Sequence, residues 1–387
     1  MESRKPKVLF TYVEAGFGHI IPMRGMANAF RQKYGDKCEI IETDLFKQSK
    51  NPAVNKMGDE LTGYSKTITN SWLLKQFESL SYHVCSPLTL KVLDAHFCKG
   101  RKAFEGEFAE INPDLTVASY YMPNHLAYQC NKKGLTDTLI ATYTPDPYIY
   151  PAWDRNCDLY MVNNDEAYRQ AVKKGFKKER VLKIPCVYRK CITEMNLTKT
   201  QAREELGLED RFTVLTSSGA YGTKQNRKLL EKLLTAGLKI NVVALCGVSE
   251  ELLKTAKDLK KIKCAETNFY VVGFTDKVAE YMRAADVMIG KSGSNTVMEA
   301  AYIGCPMIIN AEINSLEAHT AKFCEDAGIA IRLKNPDKIL DLIKRGMDEP
   351  SVITSINAGA KGFSAPNGDE VAADVLFELL KTKFPNL

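Results

Sequence analysis

Residues 13–23 read VEAGFGHIIPM, and they close the first apolar run with Gly16, Gly18 and His19, one of five histidines in the chain. Glycines there permit backbone angles that other residues resist, and they let a substrate come close to the chain. A histidine at the start of a helix, with Pro22 near the first turn, is disfavoured as imidazolium. His19 would then stay neutral and able to accept a proton. Glu14 is near enough in sequence to orient it. The same residues also fit a tight strand–helix corner with a capping histidine.

Two further glycine-rich turns follow apolar runs. SSGAYGTKQN (217–226) carries Gly219. GKSGSNTVMEAAYIGCP (290–306) sets Ser292, Gly293, Ser294, Asn295 and Thr296 at a helix start, where hydroxyls and backbone N–H groups suit a phosphate. Glu299 has two readings. Thr296-x-x-Glu299 matches a capping box, and a carboxylate beside a phosphate site can equally take two ribose hydroxyls. Glu312, Asn314 and Glu317 lie on the polar stretch after the next apolar run. No Asp-x-Asp metal pair occurs anywhere. A leaving diphosphate would be stabilised by N–H groups, hydroxyls and a helix dipole.

The elements that must position these residues are short, β-branched runs at regular spacing. KVLFTYV (7–13), CEIIETD (38–44), DLTVASY (114–120), TLIATYT (138–144), DLYMVNN (158–164) and RVLKIPCV (180–187) read as strands. Helix-like stretches such as MRGMANAFRQKYG and NDEAYRQAVKKGF lie between most of them. Strands alternating with helices imply a parallel sheet covered on both faces. FTVLTSS (212–218), KINVVALCG (239–247), FYVVGF (269–274), DVMIGKS (286–292) and PMIIN (306–310) start the pattern again, and YRKCITEMNLTKTQAREELG (188–207) reads as the connection. The fold class is α/β: two Rossmann-like parallel-sheet domains facing across a cleft, where ligands of such sheets bind. Residues 1–190 form the first domain and 191–365 the second. A C-terminal helix at 366–387 is expected to pack back on the first.

The chain has 387 residues, 45% hydrophobic and 26% charged, as in an ordinary globular protein of two domains. It holds no apolar run long enough to span a bilayer, and its N-terminus lacks the features of a signal peptide. Eleven scattered cysteines without a Cys-x-x-Cys pair read as reduced thiols in a cytosolic protein rather than as a zinc site. The net charge is +6, and it is concentrated. Lys47 to Lys102 holds nine basic residues against four acidic ones. Residues 46–112 are too long for a crossover. They mix Trp72, Leu73, Leu74, Phe77, Leu80, Val84, Leu88, Val92 and Phe97 with lysines. That mixture fits core-packing helices with solvated lysine faces, or a surface lying on anionic lipid.

MIGKSGSNTVMEAAYIGCPMIINAEINSLEAHTAKFCEDAGIAI, extended upstream by VVGFTDKVAEYMRAADVMIGKSG, resembles the donor-nucleotide region of GT-B glycosyltransferases. The similar branch is the family 28-like one, which contains diacylglycerol glucosyltransferases, galactolipid synthases and the peptidoglycan N-acetylglucosaminyltransferase. AGFGH resembles its acceptor loop, and residues 144–189 are similar to the lipid-glycosylating members. The resemblance implies that Glu299 holds the ribose of UDP and that Ser292, Gly293, Ser294 and Asn295 surround the diphosphate. Gly273 and Phe274 would border the uracil, Glu317 and Asn314 would meet the sugar, and His19 would be the general base. Three positions depart from the pattern. Thr144-Pro145 stands where relatives have Thr-Asp, with Asp146 shifted by one. Tyr150 replaces a histidine, and Ser315-Leu316 replaces Gly-Gln.

The implied activity is inverting, metal-independent transfer of glucose or galactose from a UDP-sugar to diacylglycerol or a related lipid. Domain closure would bring the two halves together. No cofactor, metal or nucleic acid is expected. The expected location is cytoplasmic and peripheral, on the inner face of the cell membrane. A UDP-N-acetylglucosamine-using transferase, a UDP-sugar 2-epimerase-like enzyme and a non-catalytic UDP-sugar sensor are the alternatives.

Overall fold

The computed structural model describes residues 4–14, 17–70, 86–150, 152–217, 225–262, 266–312, 314–363 and 366–387. The chain divides into two compact units. Unit 1 is Met1–Arg189 with Asn314–Leu316 and Pro366–Leu387; unit 2 is Lys190–Ile313 with Glu317–Ala365.

Unit 1 holds β1 (Lys7–Thr11), α1 (Phe17–Tyr34), β2 (Glu39–Thr43), α2 (Pro52–Asn70), α3 (Ser86–His96), α4 (Cys98–Ile111), β3 (Leu115–Ala118), α5 (Tyr121–Lys132), β4 (Leu139–Tyr143), β5 (Leu159–Val162), α6 (Asp165–Lys173) and β6 (Val181–Lys183). Its six strands are all parallel, in the order β2-β1-β3-β4-β5-β6. The inner strands read as largely apolar runs because both faces are buried, whereas β2 and β6 at the edges are more exposed. Val8 and Phe10 pack with Met23, Met26 and Phe30 of α1 on one face. Leu9 and Val13 pack with Phe104, Phe108 and Leu126 on the other.

Unit 2 holds α7 (Lys199–Glu205), β7 (Thr213–Ser217), α8 (Gln225–Thr235), β8 (Asn241–Leu245), α9 (Glu250–Leu259), β9 (Asn268–Val272), α10 (Val278–Ala284), β10 (Val287–Lys291), α11 (Ser294–Ile303), β11 (Met307–Ala311), α12 (Ser315–Asp326), β12 (Ala330–Arg332) and α13 (Pro336–Asp348). Its parallel sheet runs β12-β11-β10-β7-β8-β9. The last helix, α14 (Gly368–Lys381), belongs to unit 1. Leu376, Phe377 and Leu380 join the α1 face of that sheet, and Phe377 stacks on Tyr34 with ring centroids 3.8 Å apart.

Helix α1 begins at Phe17, so His19 stands in its first turn and Pro22 lies just beyond that turn. Strand β12 was not expected. The stretch read as a connection contains α7, which Thr198 and Gln201 close with a reciprocal capping box. In the long basic stretch, α2, α3 and α4 are described. Trp72, Leu73, Leu74, Phe77, Leu80 and Val84 lie outside the described residues, as do the side chains of Leu88 and Val92. Phe97 packs against the unit 1 core, as the core-helix reading expected.

Candidate functional site

In each sheet, the chain leaves two neighbouring strands in opposite directions at one point. Ligands of open α/β sheets bind at the carboxyl ends of such strands. In unit 1 the pair is β1 and β3; in unit 2 it is β7 and β10.

His19 follows β1, and Ser119 follows β3. The His19 Nδ1–H donates to the Ser119 carbonyl oxygen at 2.6 Å, and the Ser119 hydroxyl donates to the His19 carbonyl at 2.7 Å. Tyr120 meets the imidazole edge-on at 5.0 Å. A proton fixed on Nδ1 leaves Nε2 as the basic nitrogen. Burial lowers the His19 pKa below the usual 6.5, against the opposing charge of Asp146 and the bond to Ser119. The ring is therefore neutral at pH 7, and burial is the main cause.

Glu14 does not orient the histidine. Its carboxylate pairs with Lys47, and its backbone N–H donates to Asp44 at 2.9 Å. Ser119, Tyr120 and Asp146 surround His19, and the sequence singled out only Asp146, as a departure from the family pattern. An added Cβ on Gly18, in the first turn of α1, would meet no atom of the described residues within 4 Å. Gly16 lies outside the described residues.

In unit 2, Gly293 caps α11 and Ser294 is its first residue. Thr296 is therefore inside the helix, and the Thr296–Glu299 capping box does not form. Glu299 instead lies in the second turn, 2% exposed. The first N–H groups of any α-helix point past its start, the general basis on which a helix N-terminus can bind an anion. Ser292 is buried, and its hydroxyl donates to the Glu317 carbonyl at 2.8 Å. It shapes the loop by tying it to α12. Lys291, which the sequence reading passed over, ion-pairs with Glu317. A bulge at the end of β10, where Gly290 faces Ile309 and Lys291 faces Ala311, accompanies this placement. Phe274, just past β9, is 70% exposed, with Gly273 beside it. Asn314 stands before α12 and is grouped with unit 1, and Gly219 lies outside the described residues.

Residues 217–354 match the model of the glycosyltransferase family 28 C-terminal domain. Residues 22–184 match the model of monogalactosyldiacylglycerol (MGDG) synthase. Together the two matches span well over half of the chain, one in each unit. The chain is a glycosyltransferase with the GT-B fold. This glycosyltransferase is 23% identical over 377 residues to the processive diacylglycerol beta-glucosyltransferase of Bacillus pumilus, covering 96% of this chain and 94% of that protein. Its fold is that of Acinetobacter baumannii MurG, with a TM-score of 0.61 at 14% identity, covering 96% of this chain and 99% of that one. Staphylococcus aureus MnaA, solved with UDP, shares the fold at a TM-score of 0.63 and 12% identity, covering 99% and 98%.

Proposed function

We propose that this glycosyltransferase moves glucose or galactose from a UDP-sugar to diacylglycerol or a related membrane lipid. The His19–Ser119 clasp carries the reading, because it directs a basic Nε2 to the place where such sheets bind ligands. Nε2 takes the proton of the acceptor hydroxyl as its oxygen attacks the anomeric carbon. The bond from that carbon to the diphosphate breaks, and UDP leaves with the electron pair. Attack opposite the leaving group inverts the centre.

The leaving charge is met by the start of α11 and by Lys291. No divalent ion is needed for that stabilisation. Glu299 takes the ribose, Phe274 and Gly273 border the base, and Glu317 and Asn314 take the sugar. Ser294, Asn295 and Thr296 line the diphosphate. Asp146 stabilises the imidazolium that forms on His19.

Lipid delivery is peripheral, from an anionic leaflet. Among the described residues, no helix is long and apolar enough to cross a membrane. Lys50, Lys91, Lys99 and Lys102 are exposed and form no ion pair among the described residues. Each such cation contributes about 1 kcal/mol near an anionic surface.

Radiolabelled UDP-glucose, UDP-galactose and UDP-N-acetylglucosamine, each incubated with diacylglycerol vesicles, test the proposal. Label from one of the first two is expected in the lipid phase. Label that stays water-soluble with all three sugars, or enters lipid only from the third, contradicts it.

A further inference from the structure

The transfer chemistry leaves a charged row in unit 1 unused, centred on a buried histidine. His125 on α5 is 3% exposed. Its Nδ1 lies 2.6 Å from Asp154 Oδ2, and its Nε2 lies 2.9 Å from Asp94 Oδ1. Ionised carboxylates only accept, so both ring nitrogens must donate, and only imidazolium carries two N–H donors. The row continues with alternating charge. Arg101 of α4 lies 3.4 Å from Asp94 and 3.8 Å from Glu105. Lys133 donates to both Glu105 oxygens at 2.6 Å. With His125 protonated, these six groups sum to zero. With a neutral ring, two carboxylates flank an imidazole that can donate to only one of them.

Three parts of unit 1 meet at this ring. Asp94 is on α3, His125 is on α5, and Asp154 follows Trp153 at the end of the segment that begins with Asp146. Asp154 is itself set by Asn156, whose N–H and side-chain amide donate to Oδ1 at 2.9 and 2.8 Å.

We propose that His125 is a positioning residue held as imidazolium, whose two ion pairs form a proton-dependent latch between α3 and the Asp154 turn. Loss of the proton releases α3 and weakens acceptor binding, leaving the donor site in unit 2 untouched. The coupling to acceptor rests on the reading of unit 1 as the acceptor side; the latch itself does not. Burial disfavours the charged ring, but the bond and charge of Asp154, then those of Asp94, outweigh it and raise the His125 pKa above 6.5. The latch is therefore closed in acid and opens as pH rises through that raised value. Two other titratable groups are close. Cys157 remains a thiol, its pKa pushed up to about 12, mainly by burial. His96, exposed on α3, faces Glu60 of α2 at 2.9 Å.

Hydrogen exchange of the full chain at about pH 6 and about pH 9, corrected for intrinsic rates, tests the latch. Residues 86–96 should lose protection by about tenfold at the higher pH in the wild type. His125→Gln should leave them weakly protected at both pH values, and His96→Gln should keep the wild-type response. Asp94→Asn keeps the His125–Asp154 pair and frees only α3, so it decides the matter if His125→Gln does not fold. It should match His125→Gln and raise the KM for lipid about threefold or more, with the KM for UDP-sugar unchanged. Equal protection of α3 at both pH values in the wild type overturns the latch, as does a neutral His125 ring by imidazole nitrogen shifts at about pH 6. An unchanged lipid KM in Asp94→Asn overturns only the coupling. Absent lipid transfer in the wild type, with the exchange response intact, overturns only the functional reading above.

Discussion

At the amino ends of their strands, the two units use the same arrangement. Asp114 stands just before β3 and accepts the Lys7 N–H at 2.8 Å, while Arg4 grips its carboxylate at 2.7 and 2.8 Å. Asp286 stands just before β10 and accepts the Thr213 N–H at 2.7 Å, while Arg203 grips it at 2.6 Å. In both, the same aspartate returns its own N–H to the neighbouring strand, at 2.8 Å. At the carboxyl ends the likeness stops. Unit 1 has a neutral imidazole clasped to Ser119; unit 2 has a helix start, Lys291 and two carboxylates. The shared end is what either sheet needs in order to form. In the function proposed above, the divergent end is where one sheet handles a proton and the other an anion.

Changes at the divergent ends should separate chemistry from stability most sharply. His19→Ala should lower kcat by about 100- to 10,000-fold, the usual contribution of a positioned base, with UDP affinity by titration calorimetry unchanged. Two glycines near these ends, Gly290 in β10 and Gly18 in α1, should behave oppositely. A Cβ on Gly290 would sit 2.4 Å from the Ser217 carbonyl oxygen, whereas one on Gly18 meets no atom of the described residues within 4 Å. Gly290→Ala should therefore cost unit 2 about 1–3 kcal/mol in chemical denaturation, and Gly18→Ala should cost a few tenths at most.

The shared ends should affect stability alone, and unequally. Arg203 is 9% exposed and Arg4 59%. Asp286→Ala takes from Arg203 the more buried of its two carboxylate partners, leaving Asp210, and should cost up to about 3–5 kcal/mol. Asp114→Ala should cost about 1–3 kcal/mol, the worth of bonds to a charged group. Neither should change the turnover of the molecules that remain folded. The smallest effect is expected at Phe274, where loss of an exposed ring should raise the KM for UDP-sugar about two- to tenfold and leave the melting temperature unchanged.

The sequence made the alternation of elements legible because strands buried on both faces have apolar centres, as in VLF of β1 and VVAL of β8. It made the glycine turns legible because glycine marks where the backbone bends or is approached. It left two readings open where one pattern has two causes. Thr198-x-x-Gln201 caps a helix and Thr296-x-x-Glu299 does not, yet both fit the same four-residue rule. The difference lies in where the helix starts, which depends on the strand before it. Ser119 was invisible as the partner of His19 because its carbonyl does the work, and every residue has a carbonyl. Asp94, His125 and Asp154 are far apart in sequence, so only folding shows that one ring joins them.

The central claim is that burial and the Ser119 clasp keep His19 neutral, with Nε2 ready to take a proton. Because burial lowers the His19 pKa, the base should be protonated only in acid. The measurement is the pH dependence of kcat/KM for the lipid acceptor at saturating UDP-sugar, which reports the essential base. The account predicts an acid limb with its midpoint below 6.5 and no further rise through neutral pH, with the limb absent from the residual activity of His19→Ala. A midpoint above 6.5, or a limb that persists in His19→Ala, would contradict it.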